Sequence, residues 1–91
     1  MVYEKNVTVQ NENGLHARPA SLFVKEANKY QSEIMVVFDG KEVQAKSILG
    51  VMNLGAKKGS SIVLKAWGDD APAAVEELAL FIETKLVEED I

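Results

Sequence analysis

Hydrophobic and polar positions divide the 91-residue chain into strand-like and helix-like stretches. Alternation of Val7 and Val9 with polar neighbours predicts a half-buried strand over residues 3–10. Between residues 19 and 30 the apolar positions recur at helical spacing, which predicts a first helix. Residues 32–38 are rich in β-branched and apolar side chains and predict a second strand.

A hairpin and a short helix are predicted next along the chain. Asp39-Gly40 separates two strand-like runs, and such a pair favours a two-residue turn with positive φ at both positions. The second arm of this hairpin is then residues 41–45. Ser47 is well suited to cap a short apolar helix over residues 48–54.

The last third of the chain predicts one more strand and one more helix. Residues 56–60 form a loop, residues 61–67 a fourth strand, and Asp69 or Asp70 caps the final helix. A helical stripe follows, formed by Val75, Leu78, Ala79, Ile82 and Leu86. The order βαββαβα predicts one α+β domain spanning residues 1–91, with helices on one face of a single sheet and solvent on the other.

Composition narrows the classes of function. The formal net charge of −4 argues against general nucleic-acid binding, which depends on basic surface. Cysteine is absent, which excludes disulfides and thiol chemistry; with a single histidine as well, we expect no metal site and no cofactor. No stretch approaches the ~20 apolar residues of a membrane span, and the first ten residues do not resemble a signal peptide. We therefore expect a cytoplasmic protein without membrane insertion.

His16 is the single histidine and the strongest candidate for chemistry. Gly14 permits a sharp turn before it, and Pro19 suits the first turn of a helix, so we expect the helix proper to begin at Pro19 after a loose turn. His16 would then lie where free backbone N–H groups, including that of Ala17, and the guanidinium of Arg18 favour an anion. This arrangement suits a phosphohistidine, although an ordinary helix start with a solvated Arg18 would have the same spacing.

Two segments carry a family resemblance. Residues 13–20, which read Asn-Gly-Leu-His-Ala-Arg-Pro-Ala, resemble the active-site signature of the HPr family, histidine-containing phosphocarriers of the bacterial phosphoenolpyruvate:sugar phosphotransferase system. Residues 46–55, from Lys46 to Gly55, resemble the second signature of the same family. The resemblance spans essentially the whole chain. It implies an open-faced β-sandwich with antiparallel strand order 1-4-2-3 and three helices on one face.

The resemblance also implies a function. His16 would be phosphorylated on Nδ1 by Enzyme I and would pass the group to sugar-specific Enzyme IIA domains, with Arg18 as the partner of the phosphohistidine. The chain would thus be a phosphocarrier, not a free-standing enzyme, and we expect it to be a monomer.

Ser47 has two roles that can coexist. It is a helix N-cap by position, and the resemblance implies regulatory phosphorylation there by an ATP-dependent HPr kinase/phosphorylase, linked to a catabolite-control repressor. A phosphoryl group at a helix N-terminus is electrostatically favourable. Ile48, Leu49 and Met52 lie beside it on a helix too short to bury all three, so we expect an exposed apolar docking patch for partners.

Four residues depart from the family pattern, and two other classes of protein are alternatives to a phosphocarrier. Gln44 and Asn53 replace a common asparagine and serine, and Lys57-Lys58 makes the following loop more basic than usual. The main alternative is an HPr-like regulatory module that acts through Ser47, but such members lack the active-site histidine, which is present here. An acyl carrier protein is disfavoured because those proteins are all-helical, in conflict with the predicted hairpin.

Overall fold

The computed structural model describes residues 2–88. Its elements in chain order are β1 (Val2–Thr8), α1 (Ala17–Ala27), β2 (Glu33–Phe38), β3 (Lys41–Gln44), α2 (Ile48–Asn53), β4 (Ser61–Trp67) and α3 (Ala71–Leu80). A π-helical turn (Phe81–Lys85) and a final helical turn (Leu86–Glu88) continue α3. The predicted order βαββαβα is confirmed.

The four strands form one antiparallel sheet in the order β1-β4-β2-β3. Strand β4 is central, with Val7 of β1 opposite Ile62 and Val36 of β2 opposite Leu64. The predicted hairpin joins β2 to β3, and Asp39 and Gly40 have φ values of 51° and 79°. Positive φ at both positions matches the right-handed twist of the flanking strands, which explains why Asp-Gly occurs here.

One face of the sheet packs against the helices. The strand side chains buried on that face are Val7, Ile34, Val36, Ile62, Leu64 and Ala66. Phe23 of α1 and Leu78 of α3 are fully buried against them. Successive strand residues point to opposite faces, so Glu4, Lys65 and Met35 form one row across the other face. We call this second surface the open face; its side chains are exposed or half-buried.

Several element ends differ from the sequence prediction. Strand β1 ends at Thr8, although Val9 still exchanges backbone hydrogen bonds with the 56–60 loop: its N–H donates to Ser60 O at 2.8 Å. Helix α1 ends at Ala27, short of the predicted end at residue 30; Val24 O accepts from both the backbone N–H of Asn28 at 3.0 Å and the Asn28 side chain at 2.9 Å.

The final helix deviates from regular α geometry in its second half. Residues Phe81–Lys85 form a π-helical turn, and the Thr84 hydroxyl donates to Leu80 O at 2.7 Å within it. Ile82 and Leu86 nevertheless stay buried, so the predicted apolar stripe still faces the core.

Asp70 has a different role from the one predicted. It occupies the N-cap position of α3, but its side chain makes no capping hydrogen bond. Its carboxylate instead accepts hydrogen bonds from the backbone N–H groups of Gln31 at 2.9 Å and Ser32 at 3.0 Å, and from the Ser32 hydroxyl. These donors lower the pKa of Asp70 from its ordinary value, and the Ser32 hydroxyl has the largest effect.

A tyrosine, a lysine and a glutamate link β1 to α3 at the surface. The Tyr3 hydroxyl donates to Glu76 at 2.7 Å, and the Lys5 ammonium lies 3.0 Å from the same carboxylate. Within residues 2–88, no helix is both long and apolar enough to cross a membrane.

Candidate functional site

His16 occupies the N-cap position of α1. Its backbone is extended, with φ −119° and ψ 153°, and its side chain is exposed. Within the described part of the chain, the ring makes no capping hydrogen bond to the helix. The imidazole is thus presented to solvent beside the first helical turn, whose N–H groups have no partner within the helix.

Ala17 makes a sharp turn at the start of α1. The helix begins at Ala17, two residues before the predicted start at Pro19, and Ala17 has a φ of 39°. Positive φ is uncommon for a residue with a side chain and concentrates local strain next to His16. Pro19 is the third helical residue and is buried; its missing N–H costs no helical bond there, because the first four N–H groups have no intrahelical partner.

The segment before His16 is packed against the 56–60 loop. A Cβ on Gly14 would collide with Ala56 O and would lie 2.8 Å from Lys57 Cα. The Leu15 N–H donates to Ala56 O at 3.0 Å, and the Leu15 side chain is fully buried. Glycine at position 14 is therefore required both by its φ of +61° and by this backbone-to-backbone contact.

A buried asparagine closes the turn that leads to His16. Asn11 is 1% exposed, its side-chain NH₂ donates to Gly14 O at 2.8 Å, and its backbone carbonyl accepts from Gly14 N at 3.2 Å. The sequence pattern does not predict the burial of Asn11, because a polar side chain in a turn segment is ordinarily exposed.

A shallow depression of about 250 Å³ adjoins His16. Its lining residues are Asn13, Leu15, His16, Met52, Gly55, Ala56 and Lys57. Met52 belongs to α2 and packs partly on the core, so the depression connects the start of α1 to α2. The structure thus brings His16 and one of the three predicted docking residues to a common surface.

Arg18, Ser47 and the remaining docking residues are also at the surface. Arg18 is exposed on the first turn of α1. Ser47 caps α2 as predicted, and its hydroxyl accepts a hydrogen bond from Gly50 N at 3.0 Å. Ile48 is 44% exposed and Leu49 is 72% exposed, which fits the predicted apolar patch. Within residues 2–88, no group of three or more His, Cys, Asp or Glu side chains could hold a metal ion.

A sheet in the order β1-β4-β2-β3 with helices on one face, and an exposed histidine at the start of α1, is the arrangement expected of a small histidine phosphocarrier. A family model described as "PTS HPr component phosphorylation site" matches residues 3–84. The chain belongs to the HPr family. This confirms the family and fold inferred from the two motifs, and it makes the chain an HPr-family phosphocarrier, which carries phosphate and is not an enzyme.

Individual relatives show how broad this similarity is. The "HPr-like protein Crh" of Halalkalibacterium halodurans is 52% identical over 80 residues, which are 88% of this chain and 95% of that protein. The crystal structure of the phosphocarrier protein HPr from Bacillus anthracis is 47% identical with a TM-score of 0.87, covering 89% of this chain and 96% of that one. An HPr dimer from Thermoanaerobacter tengcongensis is 49% identical with a TM-score of 0.72, covering 89% and 95%.

Proposed function

We propose that this chain accepts a phosphoryl group on His16 from phospho-Enzyme I and passes it to sugar-specific Enzyme IIA domains of the phosphotransferase system. The observation that carries the proposal is the exposed His16 ring at the N-cap of α1, held by the packing of Gly14 and Leu15 against Ala56. A preorganised nucleophile on a rigid scaffold reduces the cost of aligning the reacting atoms.

The chemistry requires little beyond positioning and charge. A neutral ring nitrogen, Nδ1 in the family, attacks phosphorus; the N–P bond forms as the bond from phosphorus to the Enzyme I donor breaks. The guanidinium of Arg18 and the N–H of Ala17 stabilise the negative charge on the transferring oxygens. Transfer to Enzyme IIA runs through the same in-line geometry, with His16 as the leaving group.

Regulation at Ser47 is the second part of the proposal. An ATP-dependent HPr kinase/phosphorylase would phosphorylate the Ser47 hydroxyl, which caps α2. The phosphoryl group adds about −1.5 to −2 charge beside Ile48 and Leu49, which are exposed apolar side chains suited to partner docking. This charge opposes docking of acidic partner surfaces and favours a catabolite-control repressor that presents arginines.

The location and oligomeric state of this carrier stay predictions. We expect a cytoplasmic location, where the chain would meet Enzyme I and the Enzyme IIA domains. The monomeric state needs its own measurement, because a relative from Thermoanaerobacter tengcongensis forms a dimer.

A second candidate function is favoured by one relative. The 52% identity to an HPr-like protein named Crh supports a regulatory module that acts mainly through Ser47. The two functions differ in one respect: the carrier needs phosphorylation of His16, and the regulatory module does not.

The deciding experiment is incubation with phosphoenolpyruvate and Enzyme I, followed by mass spectrometry of the intact chain and its peptides. We expect one acid-labile, base-stable phosphoryl group on His16. The His16→Ala variant should take no label, and Ser47→Ala should be labelled normally. Equal labelling of His16→Ala, or no labelling of the wild-type chain, would refute the carrier function; in the latter case ATP-dependent labelling at Ser47 would support the regulatory module.

A further inference from the structure

The backbone of Lys57 is fixed next to the segment that carries His16. A Cβ on Gly14 would approach Lys57 Cα to 2.8 Å, which shows how closely the two backbones pack. Two hydrogen bonds close the turn from Lys57 to Ser60. The Lys57 N–H donates to Ser60 Oγ at 3.0 Å, and the Ser60 N–H donates to Lys57 O at 2.9 Å. The position from which the Lys57 side chain extends is therefore well defined.

Lys57 is one of the residues that line the depression beside His16, and it is exposed. Among the described residues that line this depression, Lys57 is the one with a fixed charge. Its neighbour Lys58 is engaged elsewhere, because its ammonium forms an ion pair with Glu12. The two adjacent lysines thus differ in their surroundings: Lys57 belongs to the lining of the depression that contains His16, and Lys58 pairs with Glu12.

We propose that Lys57 is a phosphoryl-contacting residue, whose ammonium, together with Arg18, stabilises the phosphorylated form of His16. This inference rests on the proposed carrier function and adds a second cation to that site. Lysine acts as a flexible point charge toward phosphate, so it can follow the group while Arg18 supplies directed hydrogen bonds. The cation favours the phosphorylated chain over the unphosphorylated one, because only the former presents a dianion to the depression.

The expected effect is modest, because the ammonium is exposed to water. Exposed pairs are screened by solvent and salt, so we expect loss of the charge to shift the phosphoryl-transfer equilibrium with Enzyme I by about threefold to tenfold toward the unphosphorylated chain. The same cation favours the phosphoryl dianion over the monoanion. Its loss should therefore raise the pH midpoint of the phosphoryl titration by about 0.5 to 1 unit.

The test compares Lys57→Gln with Lys58→Gln, which removes the same charge one residue away, and with Lys57→Arg, which keeps it. Each chain is equilibrated with phosphoenolpyruvate-charged Enzyme I, and the phosphorylated fraction is measured by mass spectrometry. The phosphorylated chains are then titrated by ³¹P NMR at about 0.1 M and 1 M salt. We expect Lys57→Gln to shift both quantities at low salt, with the shift reduced at high salt, and Lys57→Arg and Lys58→Gln to match the wild type.

Three results would overturn the role of Lys57. Equal shifts in Lys57→Gln and Lys58→Gln would indicate a general charge effect. A change in KM for Enzyme I with an unchanged ³¹P titration would indicate partner docking, and failure of Lys57→Arg to retain the wild-type values would exclude a charge contact. By contrast, a wild-type chain that takes no phosphoryl group on His16 would refute the proposed carrier function itself.

Discussion

The Asp70 carboxylate accepts hydrogen bonds from both the backbone N–H and the hydroxyl of Ser32, the former at 3.0 Å. This contact ties the start of α3 to the segment between α1 and β2. It joins parts of the chain that are far apart in sequence, so its loss should weaken the packing of the helices on the sheet.

Asp70→Asn should lower the urea midpoint at pH 7. The pKa of Asp70 is lowered in the folded chain, so its stabilising effect is full above the unfolded value of about 3.9 and is lost as pH falls through the folded value. The difference between variant and wild type should therefore narrow below about pH 4. Asp69→Asn, at the exposed neighbouring position, is the control and should differ little from wild type. A difference that stays constant between pH 7 and pH 2 would contradict this account.

Gly14→Ala should destabilise the chain more than Gly55→Ala. Both glycines have positive φ, +61° and +72°, so both substitutions cost about 1–2 kcal/mol in backbone strain. Only Gly14→Ala adds a collision with the 56–60 loop, since a Cβ on Gly55 would meet nothing within 4 Å; we expect about 1–3 kcal/mol more. Urea unfolding of the two variants measures the difference. Equal losses of stability would show that the 56–60 loop moves to accommodate the added Cβ with no change in the free energy of unfolding.

Leu49→Ser should weaken partner docking without changing stability. Leu49 is 72% exposed, so its loss leaves the core intact but removes apolar area from the proposed docking patch. We expect KM for Enzyme I to rise by about tenfold, the size of effect that a central interface residue produces. Leu80→Ser is the matched control, because Leu80 is 53% exposed and belongs to α3, not to the proposed docking patch on α2. If the two variants have the same KM, the patch is not a docking surface for Enzyme I.

Ser47→Asp should slow His16 phosphorylation, and true phosphoserine should slow it further. Aspartate adds about one negative charge, whereas phosphoserine adds about −1.5 to −2. Ser47→Ala loses the hydrogen bond to Gly50 N, which costs about 1 kcal/mol of stability, but it adds no charge. Its phosphorylation rate should stay near the wild-type value. Identical rates for all four proteins would leave Ser47 as a helix cap alone.

Local features of the fold follow directly from the sequence. Asp39-Gly40 predicts the hairpin because the turn requires positive φ, and the structure has that turn. Ser47 predicts the start of α2 because a hydroxyl satisfies a free N–H of the first turn, as its bond to Gly50 does. In each case a few neighbouring residues determine the geometry. The strand order 1-4-2-3 depends on long-range packing and came only from the family resemblance.

Other features depend on contacts that no local pattern encodes. Asp70 is a plausible helix cap by position, but Gln31 and Ser32 present donors that draw its carboxylate away from the helix. The first helix begins at Ala17 in a sharp turn that lies close along the chain to the contact of Gly14 with Ala56, and propensity alone does not predict this start. Lys57 becomes a neighbour of His16 only through that same packing.

The open face offers a position at which a dye or a linker could be attached to this protein. The chain has no cysteine, so a single cysteine in place of Glu4, an exposed open-face residue, would be its one thiol. A dye or a surface linker attached there would lie on the face of the sheet opposite the helices whose N-caps are His16 and Ser47. The binding of partners could then be measured on chains that are all attached through the same residue.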